Sequence, residues 1–416
     1  MDSYLQRAEK ILSRINELAS ISEDETCIAR TFGTKKFIEA AYKVSSWMQQ
    51  AGLETRIDNI GNVRGLLKTE YPHSNVKTFV IASHIDTVIN AGKFDGPLGV
   101  IMGIDLLEQL ISSTPKFPFN IELIAFSDEE GVRFHTTYLG SKVVAGSFDE
   151  LFLDRKDAAG ITLRGAIKGM NKDADEVSGE AIDSGSWLGY FEIHIEQGPL
   201  LYERNIPVAI VTGIAGQKRV EITFKGMAGH AGTVPMHLRN DALCCAAEFV
   251  LETEKLALAK EKLVATIGKL NITNAASNVI PGEVVCSVDI RSADEQVLSS
   301  SYEALQAICK NICQKRNVDH HWNAIQGTKP VACDQQLNML LAQSIKDAKF
   351  EVVELVSGAG HDAVPISEVS PVSMLFVRCY KGISHNPLED VAKEDIAAAI
   401  EVSDNFINHL ITYNQH

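Results

Sequence analysis

Two short apolar segments with a helical pattern between them limit most strongly what this chain can fold into. FVIAS (79–83) and IELIAF (121–126) are continuous apolar runs of strand length, and Leu98–Ser112 has helical periodicity. Strands that are apolar on both faces and are separated by helices are typical of a mainly parallel sheet covered on both sides. The segment FEIHI (191–195) alternates and predicts a further strand. The sequence therefore predicts an α/β domain built from layers of helix and sheet.

The pattern changes near Thr212. Arg219–Phe224 and Val284–Ile290 alternate strictly between apolar and polar residues, as half-exposed antiparallel strands do, and Asp241–Lys260 between them has helical periodicity. This β-α-β-β-α-β-like block predicts an inserted α+β domain, and a chain of 416 residues is long enough for two domains. The predicted division is 1–212 and 329–416 for the α/β domain and 213–328 for the inserted domain.

Charge and cysteine content narrow the class of protein. The formal net charge of -15 argues against nucleic acid or an anionic membrane as the main partner. The eight cysteines form no CxxC pair, so reduced and mostly buried thiols are expected; Cys309 and Cys313 are four residues apart, on one face of a helix, without a second such pair. No stretch approaches ~18 apolar residues, so we expect no membrane span and a cytoplasmic protein.

Histidines and carboxylates follow the predicted strands directly. SHIDTVINAGKFDG (83–96) begins where FVIAS ends, and functional groups of α/β sheets gather beyond the carboxyl ends of strands. His84 offers an imidazole ligand whose other N–H Asp86 can accept. Asp95 offers a carboxylate that can bridge two cations. An HxD pair alone is at least as often a solvated pair in a loop, so further motifs are needed.

Four further motifs supply them. FSDEEGVRF (126–134) follows the next strand, and its adjacent glutamates can divide labour, one binding metal while the other accepts a proton. A solvated acidic turn is an equal alternative for that motif in isolation. Histidines also occur in HIEQG (194–198), SGAGHDA (357–363) and GISHNP (382–387). Nitrogen and oxygen donors without a thiolate suit Zn, Mn, Co or Ni. Together the motifs indicate a metal-dependent hydrolytic site.

In their order along the chain, these motifs resemble a known family. HIDTV with DG, EEGVRF with LGS, HIEQG, GHAGTVP, NVIPG, SGAGHDA and GISHNP follow one another as in the amidase/hydantoinase/carbamoylase group of the M20 metallopeptidase-like proteins. The resemblance extends from about Thr31 to Leu410. It implies a catalytic α/β domain with a central mixed sheet flanked by helices, and an inserted ferredoxin-like α+β domain that serves as lid and dimerisation domain.

The resemblance also implies roles for individual residues. Two divalent cations per subunit, Mn or Zn with Co or Ni as alternatives, would be held by five ligands: His84, Asp95, Glu130, His194 and His385. Asp95 would bridge the two ions. Glu129 would be the general base, and Asp86 would be the partner of His84.

The implied substrate is a small carboxylic acid that carries a ureido or carbamoyl group. His230 resembles a residue that reaches the partner subunit's active site in a homodimer and polarises the scissile carbonyl. Asn278 and Arg291 match positions that bind the substrate carboxylate, for which a guanidinium fork is suited. Without the resemblance, Arg291 would be a surface strand residue and Asn278 would shape the turn before Pro281. The other matched substrate positions are Gln197, Gly360 and His361, with Gln217 as a weaker match.

Several stretches resemble allantoate amidohydrolases most, among them FSDEEGVRFHTTYLGS and LFVRCYKGISHNP. They favour allantoate as substrate, hydrolysed to ammonia and carbon dioxide in purine and ureide catabolism. N-carbamoyl-L-amino acid hydrolases share every catalytic motif and stay an alternative, as do β-ureidopropionate and ureidoglycolate as substrates. The short spacing from His84 to Asp95 and the HIEQG motif disfavour a dipeptidase or aminoacylase. A catalytically inactive binding protein would be expected to lack a ligand or the base, and all are present here.

Overall fold

The computed structural model describes residues 2–71, 76–113, 116–183 and 185–415, which divide into two units. The first domain comprises Met1–Thr212 and Cys333–His416, and the second domain comprises Gly213–Ala332. The chain returns to the first domain after Ala332, four residues beyond the predicted boundary after Thr328. The boundary lies there because Val331 and Ala332 pair with Ile214 and Gly213 in a short antiparallel ladder.

The described residues form the following helices and strands, numbered along the chain. The helices are α1 (Asp2–Ala19), α2 (Lys35–Gln50), α3 (Pro97–Ser113), α4 (Leu139–Val144), α5 (Leu163–Gly169), α6 (Leu200–Arg204), α7 (Ala242–Ala259), α8 (Glu295–Arg316), α9 (Gln335–Asp347), α10 (Ala363–Ile366) and α11 (Lys393–Tyr413). The strands are β1 (Glu54–Ile57), β2 (Val63–Leu67), β3 (Thr78–His84), β4 (Asn120–Phe126), β5 (Trp187–Ile195), β6 (Val208–Ile214), β7 (Gly216–Lys225), β8 (Gly229–His230), β9 (Val264–Ile272), β10 (Val279–Ile280), β11 (Glu283–Ser292), β12 (Asp319–Thr328), β13 (Val331–Ala332), β14 (Glu354–Ser357) and β15 (Val372–Val377).

The first domain is built on a mixed sheet in the order β1-β2-β4-β3-β5-β15-β6, and β14 also pairs with β6. The four central strands β4, β3, β5 and β15 are mutually parallel, whereas β2 and β6 run antiparallel to their neighbours β4 and β15. The central strands are buried on both faces, as the continuous apolar runs predicted. The α/β class with a central mixed sheet and flanking helices is confirmed.

Helix α1 illustrates how the sequence directs this packing. Ala8, Ile11, Ile15 and Leu18 recur at intervals of three or four residues, which places them on one helical face, and all four are fully buried in the first domain's core. The opposite face carries charged residues. The amphipathic pattern therefore orients this helix with its apolar side inward.

The second domain has the chain order β7-α7-β9-β11-α8-β12 and an antiparallel sheet in the order β12-β7-β11-β9. This is the ferredoxin-like arrangement of two interleaved β-α-β units. Residues of β11 alternate strictly between buried and half-buried, because one face of the sheet packs on the two helices. Asp241 and Asp294 cap the N-termini of α7 and α8 by accepting backbone N–H bonds. A separate two-stranded sheet joins β8 to β10.

Within the described ranges, no helix is both long enough and apolar enough to cross a lipid bilayer. All eight cysteines are free thiols, six of them buried.

Candidate metal centre and active site

The parallel strands bring the predicted ligands to one edge of the first domain's sheet. Strand β3 ends at His84, β5 carries His194 next to its last residue, and β4 is followed directly by Ser127–Glu130. Strand β15 ends shortly before the turn that holds His385. Because neighbouring parallel strands end at the same edge, residues far apart in sequence meet there.

Asp95 lies at the centre of this edge, with each carboxylate oxygen facing a different set of donors. Its Oδ1 is 3.2 Å from His194 Nε2 and 3.7 Å from His84 Nε2. Its Oδ2 is 3.1 Å from His385 Nε2, and that nitrogen is 3.3 Å from Glu130 Oε1. The single carboxylate is therefore shared between two groups of donors.

These distances fit two cations. With metal–ligand bonds of ~2.1 Å, the donors of a tetrahedral site lie roughly 3.4 Å apart. The donor atoms of His84, Asp95 and His194 all lie within 4.8 Å of one another, and so do those of Asp95, Glu130 and His385. A carboxylate that reaches both groups is the usual bridge in a two-metal site. The five predicted ligands are thus brought together as two overlapping sets of three.

The orientation of the buried imidazoles suits metal binding. His194 Nδ1 lies 3.0 Å from the Ile195 carbonyl oxygen, and His84 Nδ1 lies 3.2 Å from the Asp86 carbonyl oxygen. Each carbonyl accepts the Nδ1 proton, which leaves the Nε2 lone pair directed at Asp95 and able to bind a cation. Gly96 makes room for this arrangement, because it has φ +82° and a Cβ there would lie 2.4 Å from the His84 ring.

Asp86 has a larger structural role than the predicted partnership with His84. Its Oδ1 lies 3.4 Å from His84 Nδ1 and accepts the backbone N–H of Glu129 at 3.0 Å. Its Oδ2 accepts the backbone N–H of Glu130 at 3.1 Å. One carboxylate therefore fixes both glutamates of the EE pair relative to the end of β3.

Glu129 is suited to accept a proton. Burial, followed by the charge of neighbouring Glu130, raises the pKa of the Glu129 carboxyl well above its ordinary value. Its carboxylate oxygen lies within 4.8 Å of donor atoms of both His84 and Glu130. A carboxylate with a raised pKa beside metal ligands can take a proton from a water molecule activated there.

Two residues that the motifs did not single out hold Asp95 in place. Glu389 Oε1 accepts the backbone N–H groups of Phe94 and Asp95 at 2.7 Å and 3.1 Å, while Oε2 accepts a hydrogen bond from Ser384 Oγ at 3.2 Å. Ser384 Oγ also lies 2.8 Å from Asp95 Oδ2. In the sequence, only their positions on either side of His385 pointed to a role for these two residues. A serine or a glutamate in a turn does not by itself predict a contact with Asp95.

Gln197 lies against the same carboxylate. Its Nε2 donates to Asp95 Oδ2 at 2.9 Å and lies 3.2 Å from Ser384 Oγ, and its backbone has φ +56°. Its Oε1 is buried and accepts no hydrogen bond from the described residues. A buried amide oxygen without a partner is costly unless a ligand satisfies it. This position fits the predicted substrate contact, which stays a prediction.

His361 and Gly360 lie behind the predicted ligands. The His361 ring packs edge-on to His194 with centroids 4.6 Å apart, its Nε2 is 2.7 Å from Ser357 Oγ, and the side chain is buried. In this position it supports His194, and its predicted contact with substrate stays a prediction. A Cβ at Gly360 would lie 1.6 Å from the hydroxyl oxygen of Tyr138, so only glycine fits.

Comparison with known proteins agrees with the geometry. The model of peptidase family M20/M25/M40 matches residues 80–409. The chain belongs to this family. Members of the M20 family are metal-dependent hydrolases of C–N bonds, and the chain is such an enzyme.

Individual relatives of this M20 protein match over almost the whole chain. Allantoate deiminase 2 of Glycine max is 37% identical over 97% of this chain and 89% of its own length. The N-carbamoyl-L-amino-acid amidohydrolase of Pseudomonas sp. (strain NS671) is 35% identical over 97% and 98%. The crystal structure of an amidase of the hydantoinase/carbamoylase family from Burkholderia multivorans has a TM-score of 0.89 and 30% identity, covering 97% of each chain.

Within the second domain of this M20 protein, His230 and Asn278 lie on adjacent short segments. His230 pairs with Val279 across β8 and β10, and Ala231 N donates to Asn278 O at 2.9 Å. His230 is exposed, and its Nδ1 accepts the backbone N–H of Gly232 at 3.0 Å. That bond places the ring proton of a neutral imidazole on Nε2, where it can be donated outward.

Gln217 and Arg291 face each other across β7 and β11 and share a carboxylate partner. Gln217 Nε2 donates to Asp289 Oδ2 at 2.5 Å, and Arg291 donates to Asp289 through Nε at 2.8 Å and Nη2 at 3.0 Å. Arg219 Nε also donates to Asp289, at 3.0 Å. The guanidinium of Arg291 is therefore held in one orientation by its own strand.

Proposed function

We propose that this M20 hydrolase cleaves a ureido C–N bond in a small carboxylic acid, with allantoate as substrate. The observation that carries the proposal is the position of Asp95 between two histidine-containing donor groups, with the buried Glu129 alongside. The position of Asp95 gives a place for two cations, and Glu129 gives a proton acceptor. Allantoate is favoured because the motif-rich stretches around Glu129 and His385 resemble allantoate amidohydrolases, and the soybean allantoate deiminase is a relative over nearly the full length.

The proposed ligands are His84, Asp95 and His194 for one ion and Asp95, Glu130 and His385 for the other. Mn²⁺ and Zn²⁺ both suit this set of nitrogen and oxygen donors. When bound, such cations polarise a carbonyl and lower the pKa of water. Glu129 takes a proton from the attacking water and transfers it to the leaving nitrogen. One ureido group and one water then yield an amine, carbon dioxide and ammonia, which balances all atoms.

The second domain supplies the groups that bind and polarise the substrate. His230 donates its Nε2–H to the oxygen on which negative charge develops. Asn278 and the guanidinium of Arg291 bind the substrate carboxylate, which fixes the ureido group relative to Glu129. By resemblance to the family, the enzyme is a homodimer in which His230 acts in the active site of the partner subunit. We also propose that it functions in the cytoplasm.

A substrate comparison tests the proposal directly. Ammonia release is measured with allantoate and with several N-carbamoyl-L-amino acids, each after loading the protein with Mn²⁺ or with Zn²⁺. We expect the highest kcat/KM for allantoate. Turnover of the carbamoyl amino acids alone would reject allantoate and leave an N-carbamoyl-L-amino acid hydrolase. Turnover of neither class would reject hydrolysis of ureido acids.

A metal titration tests the centre independently. Protein treated with a chelator should regain activity as Mn²⁺ or Zn²⁺ is added back, and the Asp95→Asn variant should regain little because it removes the shared carboxylate. Asp105→Asn is a suitable control, since Asp105 is a buried aspartate that pairs with Arg7 on α1, outside the proposed centre. Full activity of metal-free protein would contradict the proposal.

A further inference from the structure

We propose that the second domain holds a zinc ion of its own, bound between α7, α8 and β12 by three thiolates and one imidazole. The ligands would be Cys309 and Cys313 on α8, His320 on β12 and Cys245 on α7. The proposed ligands all belong to the second domain and are mainly sulfur, so this site shares no residue with the hydrolytic centre.

The chain geometry brings these donors together. Cys309 and Cys313 are separated by one helical turn, so their side chains lie on the same face of α8. His320 pairs with Phe224, and cross-strand partners share a face of the sheet, so its ring lies on the side of the buried Phe224. The donor atoms of Cys309, Cys313 and His320 all lie within 4.8 Å of one another. Three donors from two elements thus converge on one point.

Cys245 completes the set from the second helix. Its Sγ lies 3.6 Å from the Sγ of Cys313. With Zn–S bonds of ~2.3 Å, two thiolates of a tetrahedral site lie roughly 3.8 Å apart, so this separation is close to that of a shared ion.

The chemistry of the donors selects the ion. Three cysteines and one histidine form one of the usual tetrahedral sets of structural zinc sites, and thiolates favour soft cations over Mn²⁺ or Mg²⁺. The thiols of Cys245, Cys309 and Cys313 are almost completely buried. Contact with Cys245 lowers the pKa of the Cys313 thiol, but contact with Cys309 and burial outweigh it and raise this pKa to about 12. Zinc binding would release the thiol protons to solvent.

Another cysteine of the same domain provides an internal comparison. Cys286 on β11 is also buried in this core, and burial alone raises the pKa of its thiol to about 12. It is absent from every convergent group of donor atoms found among the described residues. A buried cysteine such as Cys286 is explained by its packing as a small apolar side chain. Such packing does not account for two thiols and an imidazole that meet at one place, with the thiol of Cys245 3.6 Å from one of them.

Cobalt spectroscopy of the full-length protein separates this site from the hydrolytic centre. Reduced protein is titrated with Co²⁺, and the near-ultraviolet thiolate-to-cobalt charge-transfer band is recorded. The hydrolytic centre has only nitrogen and oxygen donors, so it cannot give this band. We expect the band to appear, to saturate when each chain holds one Co²⁺ at this site in addition to those in the hydrolytic centre, and to disappear when Zn²⁺ is added. Reduced wild-type protein that binds Co²⁺ without this band would overturn the proposal.

Matched cysteine variants identify the ligands. Cys313→Ser should abolish the band, whereas Cys244→Ser should retain it, because Cys244 is adjacent to Cys245 but exposed. Circular dichroism shows whether Cys313→Ser is folded, and His320→Ala, on an edge strand, gives a second test by weakening the band. A band that persists in both Cys313→Ser and His320→Ala would overturn the assignment. So would a peptide map showing a disulfide between Cys245 and Cys313 that Zn²⁺ does not prevent.

Discussion

The residues proposed to act in hydrolysis lie in two regions that are built in opposite ways. At the sheet edge of the first domain, His84, Asp95 and His194 are buried, and the Nδ1 of each imidazole is held by a backbone carbonyl. In the second domain, His230 is exposed on a strand of two residues, and Arg291 donates to Asp289 of its own strand. The first region is preorganised for cations before any substrate arrives, whereas the second presents groups to solvent. Changes in the first should therefore affect metal binding or proton transfer, and changes in the second should affect turnover or KM alone.

The largest effect is expected for Glu129→Gln. Glutamine keeps the shape of the side chain but cannot accept the proton, so kcat should fall about 10³- to 10⁴-fold while the protein still binds two cations. Steady-state kinetics and elemental analysis of the same sample measure both quantities. A variant that stays near full activity would show that Glu129 is not the base.

His230→Ala should reduce kcat about 10²- to 10³-fold, because it removes the hydrogen bond proposed for the developing oxyanion. Metal content should equal that of the unaltered enzyme, in keeping with the contrast between the two regions. His237→Ala is the control, since His237 is an exposed histidine of the same segment and should leave kcat unchanged. Loss of metal from the His230→Ala variant would contradict the predicted difference between the two regions.

Asp86→Asn should weaken metal binding about 10- to 100-fold, the effect usual for residues that orient metal ligands. An asparagine can accept only one of the two backbone N–H bonds of Glu129 and Glu130 and directs an N–H group at the other. Asp58→Asn is a matched control, because buried Asp58 likewise accepts two backbone N–H bonds, which come from Ile60 and Asn62 and not from proposed ligands. Equal losses of metal in both variants would point to general destabilisation.

Arg291→Lys is expected to have the smallest effect, an increase in KM of about tenfold with little change in kcat, since a lysine cannot bind both carboxylate oxygens as a planar fork. Arg219→Lys alters another arginine that donates to Asp289 and should leave KM unchanged. If the two variants behaved alike, the effect would come from the shared Asp289 and not from contact with substrate.

The sequence was most informative where residues close in the chain act together. Apolar strands followed at once by SHID and SDEE predicted both the α/β fold and the edge at which His84 and Glu130 meet. The second domain's strict alternation predicted β7 and β11, because one face of that sheet is buried and the other is exposed.

Contacts between distant residues could not be predicted in this way. Glu389 accepts the N–H of Asp95 across 294 positions of sequence, and nothing in the residues between them encodes that distance. Asp86 was predicted to orient one histidine, but its two hydrogen bonds to the EE pair depend on the parallel pairing of β3 with β4. Burial of His361 against His194 likewise depends on how the segment between β14 and β15 packs on β5, where Ala363 N donates to Glu192 Oε2.

The paired ends of the second domain have an evolutionary consequence. Its first and last residues, Gly213 and Ala332, are register partners, and Cys333 N donates to Thr212 O at 3.0 Å just outside it. The chain therefore enters and leaves the second domain at one point, so this domain is a single continuous insertion. Such a segment can be lengthened, exchanged or lost without moving any of the central strands that carry the hydrolytic centre. The second domain can then vary in length and sequence independently of the sheet edge that carries His84, Asp95 and His194.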